Sequence, residues 1–108
     1  MSLEATLDAG VDGAVEFEFS VRNTGDSPVE LQFRSGKVAD VAVFDDGEEV
    51  WRWSDGRMFT QALHSQTLDP GESDSHQFTW EDPEPGTYTV EGTLAAEQDA
   101  KATTSVTV

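Results

Sequence analysis

The sequence predicts an all-β fold, an antiparallel sandwich that forms one domain over residues 1–108. Three observations carry that expectation. Apolar and polar residues alternate with period two nearly throughout, the signature of half-buried strands. Clusters of Gly, Pro, Asn and Asp cut the alternation into short runs. No stretch of useful length sets apolar residues at helical spacing.

Leu3, Ala5 and Leu7 open the first strand. Val15, Phe17, Phe19 and Val21 then alternate with Glu16, Glu18, Ser20 and Arg22, the clearest half-buried strand of the chain. "NTGDSP" breaks it with residues that bond their own backbone or accept positive φ. Val29, Leu31 and Phe33 resume the pattern against Glu30, Gln32 and Arg34, until "RSG". Val41 and Val43 lead into "DDG", and Val50 to Trp53 follow. His76, Phe78 and Trp80 share one face before "EDPEPG". Tyr88, Val90 and Leu94 share the next, with Thr87, Thr89, Glu91 and Thr93 opposite. Ala102, Thr104, Val106 and Val108 close the chain. Residues 57–66, "RMFTQALHSQ", fit no strand and read as a helical turn or a long loop. About seven or eight short strands with this punctuation make an immunoglobulin-like β-sandwich, with no linker and no internal repeat.

The hairpin around "DDG" decides where two of the three tryptophans point. A three-residue loop over residues 45–47 would set Phe44 opposite Glu48, Ala42 opposite Val50 and Val41 opposite Trp51. Val41, Val43, Trp51 and Trp53 would then share one face. A two-residue turn at Asp46-Gly47 would shift the register by one and split that apolar set, so the longer loop is the expected one. The tryptophans accordingly read first as a buried aromatic wall, and alternatively as an exposed platform for a ligand. Beyond them, Arg57, Met58 and Phe59 have the composition of an interface anchor. The competing reading is that Phe59 and Leu63 fold back as a plug over the sandwich.

Charge narrows the partners. Twenty-two Asp and Glu face six Lys and Arg, a formal net charge of −16. Such a field repels phosphate backbones and anionic membranes, so neither nucleic acid nor membrane is expected as a partner. The acids are dispersed: Glu16 with Glu18, then Glu30, Asp40, Asp74, Glu91 and Asp99, are spread over different segments. A surface of that kind suits concentrated salt, where screening removes self-repulsion, and points to a halophilic source. "MSLEATLDAG" has no basic start and no apolar run, and no segment approaches the ~20 apolar residues of a membrane span, so a cytoplasmic protein is expected; a monomer is the default expectation.

Catalysis is poorly supplied. There is no cysteine, hence neither a disulfide framework nor a thiolate nucleophile. No G-x-S-x-G elbow or triad spacing occurs. His76 reads as a histidine at the rim of the core and His64 as a solvated loop residue. A zinc site built from three or four His or Cys ligands is not expected, because the chain has two histidines and no cysteine. "DDGEE" and "DPGESD" do not fit the spacing of a calcium loop and have a plain role as turns. No catalytic residues, metal or cofactor are expected.

The ordered series "VRNTGDSPVELQFRSGKVADVAVFDDGEEVWRWSDGRMFTQAL", "LDPGES", "FTW" and "PGTYTVEGTL" resembles the BsuPI family, the intracellular proteinase inhibitor domains of bacteria and archaea. The resemblance runs from about Val15 to Leu94. Its most specific part is a strand ending in Asn23, Phe33 before Ser35-Gly36, Asp40-x-x-Val43, the Gly47 turn, "VWRWS", and Phe59-x-Gln61. It implies an all-β domain that needs no cofactor and inhibits or regulates an intracellular serine protease, of the subtilisin type. The residues expected to touch that partner are Arg57, Met58 and Phe59, in the loop with apolar anchors outside the strand alternation. The rival expectations are a general structural or protein-interaction module, and a carbohydrate-binding module using an aromatic face.

Overall fold

The computed structural model describes residues 2–108. It contains nine strands: β1 (Leu3–Asp12), β2 (Ala14–Asn23), β3 (Val29–Phe33), β4 (Ala39–Asp45), β5 (Glu48–Arg52), β6 (His64–Leu68), β7 (Ser73–Trp80), β8 (Thr87–Leu94) and β9 (Lys101–Thr107). All pairings are antiparallel. One sheet runs β1-β2-β7, a second β5-β4-β8-β9, and β3 pairs with β6. The strand beyond the expected count is β6, "HSQTL", which has four exposed residues and one buried. Such a strand is held by backbone bonds to β3 and has no apolar alternation to announce it.

β2 behaves as its alternation dictates. Val15, Phe17, Phe19 and Val21 are buried and Glu16, Glu18 and Arg22 are exposed. They face Val41, Val43 and Val90 of the other sheet in one core. The sheets approach closely there: a Cβ on Gly92 would stand 2.6 Å from Phe19 Cδ1. Along another side β1 packs beside β9. Tyr88, at the start of β8, donates its hydroxyl to the Glu84 carbonyl at 2.7 Å. That bond back to a residue just upstream is the tyrosine corner of immunoglobulin-like sandwiches.

The hairpin between β4 and β5 differs from expectation in its turn and agrees in its faces. Asp45 opposes Glu48, so the turn is the two-residue Asp46-Gly47. Both turn residues have positive φ, 52° and 84°, as a type I′ turn requires. Phe44 then opposes Glu49, but Val43 opposes Trp51, so Val50 is an extra residue, a β-bulge. The bulge restores the parity that the short turn would have lost. Val41, Val43, Trp51 and Trp53 still share the inner face, and Val50, 48 % exposed, is left outside.

Candidate functional site

β4 is the strand from which the site is built. Its inward residues, Val41 and Val43, are fully buried. Asp40 points the other way, to the outer face of the sheet, yet is only 3 % exposed. Lys37 Nζ lies 3.0 Å and Arg52 Nη1 3.1 Å from Asp40 Oδ2. The Ser54 hydroxyl donates to the same oxygen at 2.6 Å. The Val41 and Ser54 amides donate to Oδ1 at 2.9 and 3.2 Å. Burial alone would push the Asp40 carboxyl up. The donors from Ser54, Lys37 and Arg52 outweigh it and hold the carboxyl below its ordinary value. Arg52 also forks onto Glu49 Oε1, at 2.6 and 2.9 Å. The charge-assisted bonds to Glu49, against a cost of burial, and those to Asp40 raise its already high pKa.

This cluster fixes the start of the segment between β5 and β6. The Trp53 amide donates to the Val41 carbonyl at 2.9 Å. Two successive turns follow, Asp55 N to Arg52 O and Arg57 N to Ser54 O, both 3.1 Å. Gly56 sits between them at φ 76°, where a side chain would be strained. The far end is held by the Gly36 amide, which donates to the Thr60 carbonyl at 2.9 Å. Here the backbones nearly touch: a Cβ on Gly36 would meet Thr60 Oγ1 at 2.7 Å. The "RSG" that reads as a strand breaker is therefore also a seat for the loop.

Between these anchors the three expected contact residues have different fates. Arg57 turns back, with Nε donating to the Trp53 carbonyl at 2.8 Å and its guanidinium 4.4 Å above the Trp53 ring. Phe59 also turns back, tilted on the same indole at 5.8 Å and half-buried. Met58, between them, is 98 % exposed. The plug reading thus describes Phe59 but not Leu63, which is 79 % exposed. Residues 57–63 form no helical turn and run as loop into β6.

The aromatic wall is half-buried rather than sealed. Trp51 stacks on Phe17 at 6.1 Å and on Trp80 at 5.9 Å, and Trp53 meets Phe78 edge-on at 4.9 Å. A shallow groove of about 490 Å³ lies between the segment from Trp51 to Arg57 and the segment from Gln77 to Glu81. His64 is the first residue of β6 rather than a loop residue, and its exposed ring stacks on Phe33 at 4.7 Å. His76 is half-exposed at the rim, with Nε2 3.1 Å from Asp74. Among the described residues, no three His, Asp or Glu gather in a way that could hold a metal ion.

Asp40 is the residue that sequence reasoning misplaced, among the dispersed surface acids. Its signal was present: an Asp inside "VADVAVF", a run otherwise rich in β-formers, needs a partner to sit in a strand.

No functionally curated protein matches the chain. Among solved structures, the CARDB domain of a Pyrococcus furiosus protein, crystallised in complex with di-metal ions, superposes with a TM-score of 0.54 at 22 % identity. The match covers 99 % of this chain and 92 % of that one, and it shows a shared fold. Residues 2–99 match the family model described as BsuPI, intracellular proteinase inhibitor. That span holds the Asp40 cluster, the anchored loop and the tyrosine corner, and by it the chain belongs to the BsuPI family of intracellular proteinase inhibitors.

Proposed function

We propose that this chain is a non-enzymatic cytoplasmic inhibitor of an intracellular serine protease of the subtilisin type, and that it acts by seating residues 54–60 in the active-site cleft. The observation that carries the reading is Met58: wholly exposed, between two neighbours folded onto Trp53, on a segment tied at both ends. Holding a loop in its bound shape before binding removes much of the ordering cost that association otherwise incurs. The free side chain is an unbranched thioether, so the pocket that receives it is apolar. Arg57, Met58 and Phe59 therefore keep their role as the contact set, with the work divided. Met58 is the anchor in the partner, and Arg57 and Phe59 hold the segment that presents it.

The same contacts speak against a sugar platform. Trp51 is stacked on two rings, and Trp53 carries Arg57 and Phe59. Both indoles are engaged by the chain's own side chains.

The test is titration of the purified chain into such a protease from the same cell, in multimolar salt. Stoichiometric loss of activity is expected. Met58→Ser with Phe59→Ser should remove it while the fold survives. A chain that is neither bound nor cut by the protease would sink the reading and leave an interaction module with another partner. The dispersed acid fits a halophilic source, for which the melting temperature rises with salt. A salt-independent melt would count against that origin.

A further inference from the structure

We infer that Met58 is also a modification site: oxidation of its thioether by a peroxide switches the contact loop off, and reduction restores it. The inference rests on the inhibitory reading above and adds its regulation. Three observations support it. Met58 is 98 % exposed, so an oxidant reaches Sδ unhindered. The chain has no cysteine and one other methionine, Met1, which lies outside the described residues. Met58 is thus the softest nucleophile presented by the fold. Its neighbours are occupied, Arg57 and Phe59 against Trp53, so nothing on the loop shields it or substitutes for it.

The chemistry balances. A lone pair on Sδ attacks one peroxide oxygen, the S–O bond forms, the O–O bond breaks, and water leaves from hydrogen peroxide. The thioether is oxidised by two electrons and the peroxide is reduced. A thiol-dependent reductase reverses the step, forming a disulfide and releasing the oxygen as water. The sulfoxide is polar, and in an apolar pocket its oxygen has no partner, so binding suffers while the fold does not.

The experiment uses the whole chain, treated with hydrogen peroxide and then with catalase before protease is added. Mass spectrometry of the peptide holding Met58 should show one added oxygen, gained about as fast as by a free methionine amide. The inhibition constant should rise about 30-fold or more, as for loss of an interface hot spot, and the melting temperature should not move. Met58→Leu keeps Met1 but removes the thioether, so its own inhibition constant, whatever its value against the native chain, should be the same before and after peroxide. Several outcomes overturn the inference: unchanged inhibition by a chain confirmed as oxidised at Met58, equal peroxide sensitivity in Met58→Leu, or a fall in melting temperature that accounts for the loss. An untreated chain that leaves the protease fully active overturns the inhibitory reading, and the switch with it. Inhibition that survives oxidation overturns the switch alone.

Discussion

Asn23 and Asp40 are the two polar residues buried among the described residues, and they solve the same problem by different physics. Asn23 is wholly buried and neutral. Its amide nitrogen donates to the Ser27 and Leu68 carbonyls at 2.8 and 2.9 Å, and its oxygen accepts from the Gly25 amide at 2.9 Å. It ties the turn after β2 to the end of β6. Asp40 is charged and takes its donors from Lys37, Arg52 and Ser54. It ties the segment between β5 and β6 to β4. The neutral joint is indifferent to pH, whereas the charged one depends on it. What this teaches is that the frame and the segment after β5 have separate sets of bonds, so that the second should loosen without the first.

Variants should pull that contrast apart. Asn23→Ala leaves two carbonyls and an amide short of partners in a closed site, and should cost about 3 kcal/mol in denaturant unfolding. Inhibition per folded molecule should hold. Asp40→Ala leaves Lys37 without its carboxylate and Arg52 with Glu49 alone, but both are about a third exposed and can turn to water. About 2 kcal/mol is expected, below the range for a sealed ion pair. Because the loop base then loosens, inhibition should fall more than stability does. If both variants lower inhibition equally per folded molecule, the two joints are not independent.

Acid gives a gentler probe. Asp40 has a folded pKa below its ordinary value, so its contribution is present above the unfolded value, 3.8, and is lost as pH falls through the folded one. The stability gap between the native chain and Asp40→Asn should therefore close below about pH 4, whereas the gap to Asn23→Ala should not change. The smallest effect belongs to Arg57→Ala. Removing an exposed guanidinium from the Trp53 face should cost about 0.5–1 kcal/mol in stability. It should also raise the dissociation rate from the protease, because Met58 loses one of its two props. An unchanged dissociation rate would mean that Phe59 alone sets the loop.

How much of this was legible in the sequence follows from what buries each residue. β2 could be read directly, because in a closed core burial follows parity, and Val15 to Val21 show it. β6 could not, because four of its five side chains face water. The loop could be located by composition, through Arg57, Met58 and Phe59. The division between them could not be read, since it depends on a Trp53 ring placed by a bulge and a turn. Asp40 looked like one acid among many. Its place inside "VADVAVF" says that it needs a partner but not which, and the partners Arg52 and Ser54 arrive only from the end of β5 and the turn after it.

The bulge at Val50 carries a last consequence. It is a phase corrector: one added residue cancels the half-period slip that the tight Asp46-Gly47 turn introduces. Insertion or deletion of a single residue between Phe44 and Trp51 would turn both indoles to water and Arg52 inward. No such arithmetic governs Gly56 to Thr60, where no strand pairs and no alternation has to be kept. The length of the hairpin is therefore locked by parity, whereas the tip is held by its contacts to Trp53 and Gly36 and leaves the Met58 side chain free. A lineage, or an engineer, can exchange the side chain at Met58 on an unaltered frame.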